Sequence, residues 1–311
     1  MNRRSLLLRA AFLASAVAGG FWLKDKLVWS RPEPGFDGDD RWHPLLRTAS
    51  DVPVIHAVVN GRAVKALIDT GAQYSVLDAR LGQDLDAPLI DMPTVAYGVG
   101  GGAVVGKGRQ VDLAIANVRI EAFKLALLDL GPLATDPSIG VGLVIGRDLM
   151  RTLVMELDWG QKRLRFLPAS GWQASPDLFA APVRLEGDAL AAEVMVEGRT
   201  VTAVVDTGAS SLLSVTEPVA QTVGLLDGRK AEGGTSLVLG GVTRARWVRA
   251  EQVAWGERTW ANARVAIFPP SPIAQAPDAL LGMAAFKNKK LALNLGQSQL
   301  FVSRDLDLTV G

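Results

Sequence analysis

Residues 59–72 read VNGRAVKALIDTGA, and residues 196–209 read VEGRTVTAVVDTGA. In each stretch a short apolar run ends at Asp-Thr-Gly-Ala, and the offset between Asp69 and Asp206 is 137 residues. Two later blocks return in the same order at a spacing one residue shorter: VIG at 144–146 as LLG at 280–282, and LDWGQ at 157–161 as LNLGQ at 293–297. Three matched blocks in one order indicate a duplicated unit.

Each copy of the repeat is predicted to be mostly β. Asn60-Gly61 and Glu197-Gly198 stand between alternating apolar residues, as the turns of β-hairpins do. The runs at residues 64–68 and 201–205 are short, apolar and rich in β-branched side chains, which is typical of buried strands. We therefore expect two similar β lobes.

The repeat and the local composition divide the chain. Proline, glycine and serine gather between the two copies, which indicates a connector. The predicted segments are a leader (1–30), a solvated tether (31–50), a first lobe (51–168), the connector (169–182), a second lobe (183–304) and a tail (305–311).

The leader has the features of an export or anchoring segment. Arg3 and Arg4 precede an uncharged, largely apolar run at residues 10–23. That run is shorter than the roughly 20 residues of a spanning helix and suits the core of a signal peptide. A cleaved signal peptide and an uncleaved membrane anchor both remain open, and either places the rest of the chain outside the cytoplasm.

Composition excludes several classes of function. The first 31 residues hold six of the 33 basic residues and one of the 32 acidic residues, so the rest is mildly acidic and suits no nucleic acid. The absence of cysteine excludes disulfides, thiolate zinc sites and cysteine nucleophiles. With His43 and His56 as the two histidines, acid–base chemistry would fall to Asp or Glu.

Asp69 and Asp206 have two explanations. Asp and Gly commonly form turns after strands, but a turn does not require the same Thr and Ala in both copies. The alternative is a pair of carboxyls brought together by pseudo-twofold symmetry, which share one proton because two adjacent charges are costly. One carboxylate then acts as general base on water, and the protonated partner polarises a substrate carbonyl.

The residues after each aspartate fit such a pair. Thr70 and Thr207 are expected to hydrogen-bond across the interface and to hold the two loops in register. Gly71 and Gly208 leave room for backbone amides to approach the carboxylates.

On these motifs the chain resembles the retropepsin-like and pepsin-like aspartic peptidases, in which the shared-proton pair is established. The resemblance covers nearly all of residues 51–304. The blocks at 144–146 and 280–282 look like the family's second motif, which packs behind each catalytic loop. Gly146-Arg147-Asp148 is similar to its retroviral form, whereas Gly282-Met283-Ala284 lacks the Arg. The leader and two fused lobes resemble bacterial periplasmic members of the PerP type.

The resemblance implies two aspartic-protease-type β-barrel lobes with a catalytic cleft between them. It implies an aspartic endopeptidase acting on an extended peptide or protein, with no metal or other cofactor. Because both aspartates lie in one chain, the protein is expected to function as a monomer. The expected location is the periplasm, or the inner membrane facing the periplasm.

A glycine-rich stretch provides the candidate flap. The resemblance implies a hairpin that closes over the cleft and contacts substrate. The flap residues are Tyr97, Gly98, Val99, Gly100 and Gly101. Tyr97 either touches substrate or packs, and residues 238–241 are either a second flap or a structural hairpin. The glycines also fit loose nucleotide-binding patterns, but no βαβ pattern surrounds them.

Two further features concern an acidic run and the residue that follows each Asp-Thr-Gly. An acidic run is interpreted as a solvated face rather than a cation site; it comprises Asp78, Asp84, Asp86 and Asp91. Ala72 and Ala209 carry no hydroxyl that could stabilise an ionised carboxylate, so we expect activity nearer neutral pH than in pepsin. A non-catalytic peptide-binding protein and a membrane-tethered structural module are the alternatives.

Overall fold

A computed structural model describes residues 31–38, 40–83, 85, 89–97, 103–238, 241–270 and 276–304. The predicted leader, the tail and flap residues 98–101 lie outside these ranges. Within the described ranges, no helix has the length and apolar character needed to cross a membrane.

Within its described residues, the first half of the chain contains eleven strands and three short helices. The strands are β1 (Gly35–Phe36), β2 (His43–Pro44), β3 (Val54–Val59), β4 (Arg62–Ile68), β5 (Val76–Asp78), β6 (Leu89–Tyr97), β7 (Ala103–Ile115), β8 (Val118–Leu128), β9 (Leu143–Ile145), β10 (Leu153–Asp158) and β11 (Arg163–Pro168). The helices are α1 (Ala79–Gln83), α2 (Pro132–Thr135) and α3 (Arg147–Met150).

The second half repeats this order with small differences. Its strands are β12 (Leu178–Ala180), β13 (Val183–Glu186), β14 (Ala189–Val196), β15 (Arg199–Val205), β16 (Leu213–Thr216), β17 (Glu232–Val238), β18 (Gly241–Trp255), β19 (Arg258–Phe268), β20 (Ala279–Leu281), β21 (Lys290–Asn294) and β22 (Gln299–Ser303). One α-helix, α4 (Glu217–Thr222), and two 3₁₀ turns, Met283–Phe286 and Leu295–Gln297, complete it.

Each lobe closes into a six-stranded barrel. In the first, strands pair in the order β8-β5-β9-β4-β3-β7, and β7 returns to pair with β8. In the second, the order is β14-β15-β20-β16-β19-β18, and β18 returns to β14. Closure pairs the barrel strands with one another and turns alternate side chains into a common core. The predicted fold class, mostly β with two similar barrel lobes, is confirmed.

A six-stranded sheet joins the two lobes, in the order β12-β22-β21-β10-β11-β2. At its centre Met155 lies opposite Leu293 and Leu157 opposite Leu291, on either side of the Glu156–Ala292 pair. At the repeat offset of 136, Met155 corresponds to Leu291 and Leu157 to Leu293. The repeat therefore exchanges the two pairs, and the pseudo-twofold axis passes through the Glu156–Ala292 pair between them. The largest hydrophobic core cluster includes residues of both barrels and of this sheet, so the lobes form one packed body.

The described residues of the predicted tether, 31–38 and 40–50, include two short strands that pair with the first half of the chain. Strand β1 pairs with β8, and β2 pairs with β11. The guanidinium carbons of Arg163 and Arg165 lie 4.7 and 4.8 Å from the ring centre of Trp42. Strand β2 takes the place beside β11 that β12 takes beside β22. Backbone pairing therefore recruits a segment whose composition is that of a loop.

Asp78 also differs from its predicted place on a solvated face. It is buried, and its carboxylate accepts hydrogen bonds from the Arg80 side chain and the backbone N–H of Leu130. Burial opposes the charge, but these donors outweigh it and hold the pKa of Asp78 below its usual value. It therefore anchors the end of β5 in the first lobe. Asp84 and Asp86 lie outside the described residues.

Candidate active site

Each predicted catalytic aspartate stands at the end of a buried strand. Asp69 follows β4, which runs parallel to β9, and Asp206 follows β15, which runs parallel to β20. The backbone N–H of Asp69 donates to Ile145 O, and that of Asp206 donates to Leu281 O, each at 2.9 Å. The two motifs predicted from the repeat thus meet as neighbouring strands, and both aspartates leave their barrels at equivalent points.

The structure brings the two aspartates together at the lobe interface. A Cβ placed on Gly208 would lie 2.5 Å from Cγ of Asp69, and one placed on Gly71 would lie 2.6 Å from Cγ of Asp206. Real Cβ atoms do not approach other heavy atoms this closely. The glycines therefore make room for the carboxyl of the opposite lobe, in addition to the amide approach expected from the sequence.

Thr70 and Thr207 form a reciprocal hydrogen-bond network across the interface. The hydroxyl of Thr70 donates to Val205 O at 2.7 Å, and the hydroxyl of Thr207 donates to Ile68 O at 2.7 Å. Each hydroxyl also accepts from the backbone N–H of the other threonine at 3.0 Å. Four bonds in a buried position link the two loops directly.

The two carboxyls differ in their surroundings. Oδ1 of Asp69 accepts from the backbone N–H of Gly71 at 2.8 Å and of Ala72 at 3.1 Å. Oδ1 of Asp206 accepts from Gly208 N–H at 2.8 Å, and Asp206 is 8% exposed. Burial, then the charge of Asp69 and a hydrogen bond with its side chain, raise the pKa of Asp206 well above its usual value. The surroundings therefore favour a proton on Asp206.

Arg147 supports the first loop from behind. Its Nη1 donates to Thr70 O at 2.7 Å and to Gly71 O at 2.9 Å, and its side chain is 10% exposed. Its Nη2 bonds Oδ1 of Asp188, in the second lobe, at 3.0 Å. Met283 takes the equivalent position behind the second loop and is fully buried.

Family comparisons match both halves of the chain to aspartic peptidases. Residues 55–149 match the family described as aspartyl protease, and residues 192–288 match the gag-polyprotein aspartyl protease. The chain belongs to an aspartic peptidase family. DNA damage-inducible protein 1 of Yarrowia lipolytica is 33% identical over 78 residues, which is 24% of this chain and 20% of that protein. The match thus spans about a fifth of that relative's length.

Ser75 and Asp148 form a second support of this aspartic peptidase that the sequence analysis missed. The Asp148 carboxylate accepts from the hydroxyl of Ser75 at 2.7 Å and from its N–H at 3.0 Å. The same hydroxyl accepts from Gly146 N–H at 3.0 Å. Burial raises the pKa of Asp148 to about 6. The repeat counterpart of Ser75 is Leu212, whose backbone O accepts from Gly282 N–H. Because the second lobe has no serine at this position, comparison of the two repeats gave no sign of the Ser75–Asp148 pair.

Asp188 was missed for a different reason. It lies between β13 and β14, far in sequence from either motif, and its repeat counterpart is Asp51. Asp51 is paired with Lys162 at 3.6 Å and is 71% exposed, so the repeat itself indicates a surface residue. Contact with Arg147 depends on how the two lobes meet.

The predicted flap is described in part. Strands β6 and β7 pair in antiparallel fashion as far as Tyr97 opposite Ala103, and the remaining predicted flap residues lie outside the described ranges. In the second lobe Val238 lies opposite Gly241, and both β17 and β18 contact α2 of the first lobe. Among the described residues, no group of three or more His, Asp or Glu side chains could hold a metal ion.

Proposed function

We propose that this aspartic peptidase is an endopeptidase that hydrolyses peptide bonds with water activated by Asp69 and Asp206. The observation that carries the proposal is the meeting of two carboxyls from symmetric loops, each too close to the opposite glycine for a Cβ. Two carboxyls that are joined by a side-chain hydrogen bond share one proton, which is the protonation state that general acid–base hydrolysis needs.

The difference between the carboxyls suggests a role for each. Asp69, whose carboxyl oxygen accepts from two backbone N–H groups, takes a proton from the attacking water. Asp206, buried and protonated, donates its proton to the substrate carbonyl oxygen as the water oxygen bonds to the carbonyl carbon. Asp69 then gives the proton it took from water to the nitrogen as the C–N bond breaks, while Asp206 takes a proton from a hydroxyl of the diol. A carboxylic acid and an amine leave, and the pair returns to one shared proton.

The proposed substrate is an extended peptide or protein that lies in the cleft under the β6–β7 hairpin. Strand-like pairing of the peptide with the hairpin would supply backbone hydrogen bonds that suit many sequences. The chemistry requires no cofactor. A single chain carries both aspartates and suffices as a monomer, and the leader would export it to the periplasm or anchor it in the inner membrane facing the periplasm.

The test is cleavage of a panel of unfolded proteins at pH 4 to 8 by the wild type, Asp69→Asn and Asp206→Asn. We expect cleavage by the wild type and its loss in both variants. Each variant replaces one carboxyl with an amide, which cannot share the proton with the remaining aspartate. A wild type that cleaves nothing, and that does not bind a statine-type transition-state analogue, would instead indicate a peptide-binding protein.

A further inference from the structure

Arg147 breaks the twofold symmetry of the site. Its side chain holds the carbonyls of Thr70 and Gly71 in the first lobe and the carboxylate of Asp188 in the second. Gly71 in turn lies against the carboxyl of Asp206. A continuous series of contacts thus runs from Asp188 in the second lobe, through Arg147 and Gly71 in the first lobe, to Asp206 in the second lobe.

The second lobe shows that a cation is not needed to build the loop itself. Met283 N–H donates to Ala209 O at 2.7 Å, just as Arg147 N–H donates to Ala72 O at 2.9 Å. With Met283 behind it, the Asp206 loop adopts the same turn around its glycine. The loop therefore does not need the charge of Arg147 for its shape, and that charge is free to act on the proton shared by the two aspartates.

We propose that Arg147 and Asp188 are positioning residues that determine how tightly the Asp69–Asp206 pair holds its shared proton, and so the pH range of cleavage. The part of this inference that concerns cleavage rests on the proposed function. Neither side chain is assigned contact with substrate; both act through the first catalytic loop and through their charges.

The charges around the aspartate pair determine the direction in which each substitution should change its pKa. The positive charge of Arg147 lowers the pKa of Asp206, against burial and the charge of Asp69, which raise it. Asp188 partly neutralises that positive charge from the far side of the guanidinium. Asp148 follows Arg147 in the same helix, but its carboxylate is bonded to Ser75. Removing Arg147 and removing Asp188 should therefore change the proton affinity of the pair in opposite directions.

The experiment follows the aspartate carboxyls by ¹³C NMR in selectively labelled protein between pH 3 and 9, with Asp206→Asn to assign the pair. Arg147→Met, the residue found in the second lobe, should raise the upper apparent pKa of the pair by about 1 unit. Asp188→Asn should lower it by roughly 0.3–0.5 unit, because Asp188 is partly exposed and its charge is screened. Asp51→Asn, the repeat counterpart, is the control and should change nothing.

Shifts of the same sign in Arg147→Met and Asp188→Asn, or shifts no larger than in Asp51→Asn, would overturn the inference. If Arg147→Met does not fold, the isosteric Asp188→Asn decides alone: a lowered pKa supports the inference and an unchanged one refutes it. The titration needs no substrate, so it stands apart from a failure to detect cleavage. In an active enzyme, the alkaline limb of kcat/KM should move with the NMR values.

Discussion

Thr207→Val removes half of the hydrogen-bond network between the catalytic loops without leaving a cavity. Valine has nearly the shape of threonine, but it can neither donate to Ile68 O nor accept from Thr70 N–H. Thr207 is fully buried, so both backbone groups lose their partner where water cannot replace it. Each such group costs about 1–3 kcal/mol, so the free energy of unfolding should fall by about 2–6 kcal/mol.

That loss is a large part of the roughly 5–15 kcal/mol that stabilises a typical folded protein. With an m-value of about 3 kcal/mol per molar urea, the midpoint of unfolding should fall by roughly 0.7–2 M. The assay is urea unfolding followed by tryptophan fluorescence and by circular dichroism. Because the network sets the distance between the two carboxyls, kcat/KM should fall in the same variant.

Thr207→Ser provides the matched control, since it keeps the hydroxyl and loses one methyl group. It should be closer to the wild type than Thr207→Val in both stability and activity. A Thr207→Val protein within about 0.5 kcal/mol of the wild type would refute the argument, because a change of that size is typical of a surface substitution. So would a serine variant as unstable as the valine variant.

Three further predictions concern the same loops. Gly71→Ala would place a Cβ 2.6 Å from Cγ of Asp206, so it should reduce cleavage about 100-fold or more while the circular dichroism spectrum is retained. The raised pKa of Asp206 means that its proton is lost only as the pH rises through that higher value, so the kcat/KM profile should have its maximum nearer neutrality than in pepsin. Asp148, whose pKa of about 6 exceeds its ordinary 3.8, binds its proton more tightly in the folded state. The stability of the wild type relative to Asp148→Asn should therefore fall by up to about 3 kcal/mol between pH 4 and pH 7 in urea unfolding.

Each of these has a result that would contradict it. An active Gly71→Ala enzyme would mean that the carboxyls lie farther apart than the structure places them. A pH optimum near 3 would show that the proton of Asp206 is held no more tightly than in pepsin. A stability difference between wild type and Asp148→Asn that is the same at both pH values would mean that Asp148 titrates alike in the folded and unfolded chain.

Local pattern was sufficient to predict the strands that carry the site. The apolar runs before Asp69 and Asp206 are buried strands because each lies in the wall of its barrel between two paired strands. Such positions are filled by apolar residues, which the sequence shows directly. Residues 35–36 and 43–44 do not lie in an apolar run of this kind. They are strands because β8 and β11 present edges to them, which no local pattern can reveal.

The amino-acid sequence by itself determined the duplication, the two Asp-Thr-Gly loops and the need for glycine beside each carboxyl, because these depend on short segments and on a repeat that brings them together by symmetry. Only the tertiary structure decided where that symmetry fails. Asp51 and Asp188 occupy the same position in the repeat, yet one pairs with an exposed lysine and the other with the buried Arg147. The physical reason is that the two lobes meet in one particular packing, and only that packing brings a second-lobe carboxylate to a first-lobe cation.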